Sequence, residues 1–223
     1  MNFFDSEIQL VIEERQSILF EVEKTIFTKR YALSTKHRDI FSAQSISTIY
    51  SVWEGFIQIA FGLYIDEINK ESFEIHELYD EIIIYHMENS FKQFQEYPQK
   101  NVKKSKFFMD LKNFYSSDQI HEISKIVNTE SNVSFDVLNK LLEKFSLEKF
   151  PEHWGIYTHP QSNLKEIMNL LLKLRNEVAH RGKLDSYKID QNMYSRFRIL
   201  VIDIMYEVRE KMLSGLRNKT FKR

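Results

Sequence analysis

Apolar residues recur along most of this chain at three- and four-residue steps, the spacing of helices with one buried face. The pattern predicts long helices at about 5–30, 36–70 and 72–97, and shorter ones near 103–115, 117–128 and 134–147. Two more are expected at 161–181 and 187–214. Pro98, Pro151 and Pro160 are the breaks, and Ser117, Ser134 and Ser162 stand where N-cap side chains would. The second helix, ISTIYSVWEGFIQIAFGLYIDEI, is apolar around most of its circumference, which suits the centre of a bundle. Its remaining strip, Ser51, Gly55, Gln58 and Gly62, permits close approach of another backbone, within the chain or across a dimer seam. The stretch 98–160 is more polar and choppier, and reads as an elaboration inserted into one domain of 1–223.

One helix breaks its own pattern. Leu164, Ile167, Met168, Leu171, Leu174 and Val178 mark a buried face, and Arg175 falls in the middle of it. At about 100° per residue Arg175 projects within roughly 40° of Met168 and Leu171. A guanidinium keeps its charge at any ordinary pH, so it needs a carboxylate or an anionic ligand there. Glu54, on the shoulder of the central helix, is the expected partner, in a structural or a functional ion pair. Asn176 and His180 are four residues apart and share a patch near the helix end, where Gly182 supplies a left-handed stop. An arginine, an amide and a histidine are the residue types for RNA cleavage. The histidine moves protons at the 2′-OH or the leaving oxygen, and the arginine stabilises the charged phosphorane.

Composition narrows the classes. With 43% hydrophobic residues the chain builds a core without cross-links, and 5 Gly and 3 Pro against 18 Phe and 11 Tyr favour long helices. The absence of cysteine excludes disulfides and thiolate metal sites. A net charge of −1 excludes a generally basic nucleic-acid coat protein but permits a local basic groove. MNFFDSEIQL lacks the basic-then-apolar order of a secretory signal, and no apolar run is long enough for a membrane span. A soluble, cytoplasmic protein with no membrane association is expected.

Arg followed by His after a few residues is weak alone; Arg30 and His37 make a second, decoy match across a helix boundary. Requiring Asn directly after Arg, with four residues before His, makes it far rarer. LRNEVAHRG resembles the R-N-x-x-x-H signature of the HEPN superfamily, and IYSVWEGFIQ resembles the Y-x-x-W-E-G stretch of its RiboL-PSP-related branch. The resemblance covers 35–70 and 160–213 well and 98–160 hardly at all. It implies an all-α bundle with a four-helix core, a homodimer and a metal-independent endoribonuclease with no cofactor. Arg175, Asn176 and His180 would be its catalytic set, acting on RNA as a toxin or antiphage effector, with an antitoxin or defence-system protein as partner. The alternative is a non-catalytic module that docks a protein or RNA. Some HEPN toxins carry a modifiable tyrosine two residues after the histidine; here that position is Gly182. In-line cleavage needs a base and an acid on opposite sides of the phosphorus, and one chain offers a single His180, which a two-fold dimer would double.

Weaker signals remain. NVKKSKFFMDLKNFY interleaves Lys103, Lys104, Lys106 and Lys112 with Phe107, Phe108, Phe114 and Tyr115. Lysines on phosphates with stacking rings would suit single-stranded RNA, whereas a solvated lysine face over a buried aromatic face is the plainer expectation. The tail RNKTFKR is expected to be disordered. His153, Trp154 and His159 lie in a loop expected to pack on its own aromatics, lacking a third ligand at metal spacing. His76, His86 and His121 are expected on helix surfaces with no role.

Overall fold

A computed structural model describes residues 3–71, 73–94, 96–116, 122–129, 132–156, 163–185 and 187–223. Its helices are α1 (Phe3–Phe27), α2 (Thr35–Asn69), α3 (Asp80–Ser90), α4 (Asn101–Ser116), α5 (Phe135–Lys144), α6 (Leu164–Arg181) and α7 (Gln191–Asn218). The chain is all-α. α2 packs against α1, α6 and α7, and α1 also against α7, which makes these four the core. α5 joins α6 to α3 at the side. Ile46, Ile49, Trp53, Phe56, Ile57, Ala60, Tyr64 and Ile68 of α2 are all buried. A helix apolar on so many sides is stable only when neighbours cover most of its circumference. Among the described residues, no helix is long and apolar enough to cross a membrane.

The helix ends follow from local chemistry. Ser134 Oγ accepts from Val137 N at 3.2 Å and starts α5. α6 begins one residue after the expected cap region, because Asn163 and Glu166 form a reciprocal capping box. Gly182, at φ 72°, ends α6 in the left-handed conformation, its N–H donating to Val178 O at 2.8 Å. Gly215 of α7 serves packing instead: a Cβ there would lie 2.5 Å from both Leu147 Cδ2 and Tyr64 Oη.

Three expectations need correction. The helix expected over 72–97 is α3 flanked by short 3-10 turns at Ile75–Glu77 and Lys92–Phe94. Its first part gives way because Leu78 pairs with Lys222, and Tyr79 N donates to Phe221 O. The same contacts overturn the expectation of a disordered tail. Phe221 is buried, and Arg223 is held by Glu77 O and by an ion pair with Asp80.

The third correction concerns 117–128. Its described part, 122–128, is irregular rather than helical, because neighbouring side chains take its backbone groups. Asn69 donates to Ile123 O at 3.0 Å and accepts from Ile123 N at 2.8 Å. His86 Nδ1 accepts from Ser124 N, and Tyr85 Oη and Asn89 Nδ2 both donate to Ile126 O. His86 also stacks on Phe114, so it joins three segments rather than decorating a surface. Ser117, His121 and Ser162 lie outside the described residues.

Among the described residues, the small strip of α2 is largely left open. Ser51 and Gln58 are exposed, and a Cβ at Gly62 would meet nothing within 4 Å. Only at Gly55 does a neighbour approach, the guanidinium of Arg15 at 3.6 Å from a Cβ built there.

Candidate active site

The apolar face of α6 is buried as its spacing requires: Leu164, Ile167, Met168, Leu171, Leu174 and Val178 all face the core. Arg175 sits among them with its side chain 25% exposed. Its guanidinium carbon lies 4.3 Å from the centroid of the Tyr50 ring, on α2. Nη1 donates to Asn176 Oδ1 at 2.8 Å, and Nη2 is 3.9 Å from Glu54 Oε2. The aromatic face, an amide oxygen and a carboxylate together replace much of the lost hydration. The Glu54 contact is long for an ion pair, so this carboxylate neutralises the arginine without gripping it.

A strap from outside the four core helices fixes this arrangement. Thr129, itself buried, donates from Oγ1 to Glu54 Oε1 at 3.3 Å. Val133 N donates to the Tyr50 hydroxyl at 2.6 Å, and Trp53 Nε1 donates to Val133 O at 3.1 Å. Burial raises the Tyr50 phenol above its ordinary pKa, opposed by the Val133 hydrogen bond; Glu54 raises it further and Arg175 lowers it. Tyr50 therefore stays protonated near neutral pH and serves as a platform, not as a base.

Asn176 is half-buried, while His180, one turn further along α6, is exposed. Among the described residues His180 makes no hydrogen bond or ion pair, so both ring nitrogens are open to a ligand. The end of the helix is tied to α2 by Gln44 Nε2, which donates to Gly182 O at 3.1 Å. Just beyond, Arg181 and Lys183 both pair with Asp185, whose pKa the two cations hold below its usual value. A cleft of about 530 Å³ opens there between Asp39 and Ile40 of α2 and Lys183, Tyr187 and Lys188 of the α6–α7 loop.

A family model, RiboL-PSP-HEPN, matches residues 11–214. This chain belongs to the RiboL-PSP-HEPN family. No curated protein and no solved structure matches it. The match encloses both the WEG stretch of α2 and the RNEVAH stretch of α6, which this HEPN domain brings face to face.

Of the residues singled out in the sequence, the fold joins Arg175, Asn176 and Glu54 and leaves His180 at the rim, without a contact to Arg175. Lys103, Lys104 and Lys106 lie on α4, and among the described residues none of them makes an ion pair or hydrogen bond with this cluster. Trp154 is buried edge-on against Phe150 at 5.3 Å, His153 is exposed, and His159 lies outside the described residues. Sequence reading missed Tyr50 and Thr129. Tyr50 stands one turn before Glu54 and reads as core, which it also is; its position on the Glu54 side of α2 was the available signal. Thr129 carried none, since only tertiary folding brings it 75 residues back to Glu54.

Proposed function

We propose that this HEPN domain is an endoribonuclease that cleaves RNA by attack of its own 2′-OH, without a metal ion. The observation that carries this is the pairing of a held arginine with an unheld histidine. Arg175 is oriented by Tyr50, Asn176 and Glu54 yet still a quarter exposed, while His180 stands open on the same helix. An RNA phosphate reaching Arg175 would exchange the long Glu54 contact for two charge-assisted hydrogen bonds. One His180 takes the 2′-OH proton, O2′ bonds to phosphorus, and the P–O5′ bond breaks as the leaving oxygen receives a proton from a second imidazole. Arg175 and Asn176 stabilise the charge on the non-bridging oxygens. A homodimer supplies the second imidazole. A toxin or antiphage effector restrained by a partner protein is the setting, and Gly182 removes the tyrosine through which some HEPN toxins are neutralised.

The second reading, a non-catalytic docking module, draws support from Arg175 already having an oxygen near each terminal nitrogen. Product analysis separates the two. The ribonuclease yields 2′,3′-cyclic phosphate and 5′-OH ends from RNA, leaves DNA intact and keeps its rate in EDTA. Activity lost in EDTA and restored by Mg²⁺ or Mn²⁺ would exclude the mechanism, and no cleavage of any RNA would favour the module.

A further inference from the structure

α4 does not pack as its sequence suggests. Of its aromatic residues only Phe107 is buried; Phe108 is 57% exposed and Tyr115 60%. The turn before it leaves Tyr97 50% exposed as well. From 92 to 116 the chain carries Lys92, Lys100, Lys103, Lys104, Lys106 and Lys112, against the carboxylates Glu96 and Asp110 alone. That is a local charge of +4 (six lysines less two carboxylates) on a chain whose net charge is −1. Among the described residues none of these six lysines forms an ion pair, whereas Lys125, Lys144, Lys149 and Lys165 elsewhere each hold a carboxylate. An open groove of about 630 Å³ gathers four of them, Lys92, Lys100, Lys103 and Lys106, around Tyr97 and Phe107, with Glu96 and Asp110 also on its wall, so its lysines outnumber its carboxylates. Lys104 Nζ lies 5.3 Å from the centroid of the Tyr97 ring.

We propose that this groove is a binding track for single-stranded RNA, separate from the Arg175 cluster; it rests on the reading of RNA as substrate. Unpaired lysines gain by exchanging counterions for phosphates, and an exposed ring beside them offers a base a stacking face of no sequence preference. A helix lying on a membrane would segregate its lysines from its apolar residues. Here Lys103, Lys104, Lys106 and Lys112 are spread around α4 between Val102, Phe108 and Met109. The track also has a defined place relative to the site. Phe114 of α4 stacks on His86, and the irregular segment from 122 is bound to α2 at Asn69 and, through Thr129, at Glu54. Fifteen helical residues separate Glu54 from Asn69, a rise of about 22 Å.

The test uses the full chain carrying Arg175→Ala, so that binding is read without turnover. The probe is a fluorescently labelled, unstructured RNA of about 20 nucleotides. Lys100→Gln, Lys103→Gln and Lys106→Gln together weaken binding by at least about tenfold and flatten the salt dependence by about two phosphate contacts. Tyr97→Ala weakens binding several-fold and leaves the salt slope unchanged. A charge-matched control, Lys24→Gln with Lys29→Gln and Lys219→Gln, binds as the parent does. Equal weakening by track and control variants overturns the proposal. So does lysine-dependent binding to anionic vesicles or an acidic peptide with no binding to RNA, and so does no binding at all. Track-independent binding with cleavage by the unmutated chain sinks the track alone. Track-dependent binding without any cleavage keeps the track and sinks the ribonuclease reading.

Discussion

The guanidinium of Arg175 rests 4.3 Å from the centre of the Tyr50 ring, and the hydroxyl of that ring accepts the backbone N–H of Val133. One aromatic side chain thus couples the arginine of α6 to a segment far from it in sequence. Two substitutions separate its roles. Tyr50→Phe keeps the platform but leaves the Val133 N–H unpaired, so stability falls by about 1–3 kcal/mol while kcat is retained. Tyr50→Leu loses the ring too, and kcat falls with little change in KM. Urea unfolding and steady-state cleavage check both; equal kcat for the two variants would reduce Tyr50 to a core residue.

On the ribonuclease reading, Arg175→Ala should abolish cleavage in an RNA product assay and Arg175→Lys should retain little, because an ammonium cannot fork to two phosphate oxygens. Glu54→Gln keeps the Thr129 contact in shape but removes the counter-charge, so activity or stability drops. A fully active, normally stable Glu54→Gln protein would remove Glu54 from the site.

If each groove needs His180 from both subunits, inactive copies act dominantly. Co-expressing the chain with an equal amount of His180→Ala leaves about a quarter of the dimers with two intact histidines, since a two-fold interface pairs copies at random. Activity per total protein should fall to about that quarter. A fall to one half, or a fully active monomer by light scattering, would mean that one His180 suffices.

Asn69→Ala removes both hydrogen bonds to Ile123, orphaning a donor and an acceptor. The expected cost is about 1–3 kcal/mol in global unfolding. Amide exchange at Ile123 and Ser124 should accelerate well beyond that at buried Leu174, which would show the strap loosening before the core.

Asp203 of α7 is partly buried, has no ion pair or hydrogen bond among the described residues, and burial alone raises its pKa. The folded state therefore holds this proton more tightly than the unfolded chain, and stability attributable to Asp203 falls as pH rises from about 4 through the raised value. Asp203→Asn should raise Tm at neutral pH, with the gain vanishing below about pH 3. A gain that persists in acid would point to a cause other than the charge.

Hydrophobic spacing and a handful of motifs determined much by themselves. The all-α class, the central place of α2, the breadth of its apolar surface and the anomaly of Arg175 on the buried face were all legible. These are local properties, set by helical periodicity and by capping chemistry at Ser134 and Gly182. Asn163 supplied the α6 cap one residue past the one expected, since Ser and Asn compete equally for such a position. Only the tertiary structure decided the rest. The helical pattern around 117–128 gave way at 122–128 because Asn69, His86, Tyr85 and Asn89 offered its backbone better partners. The basic tail ordered because Phe221 found a buried site and Lys222 found Leu78. Tyr50 and Thr129 entered the site for the same reason: side chains distant in sequence satisfied groups that no neighbour in the chain could reach.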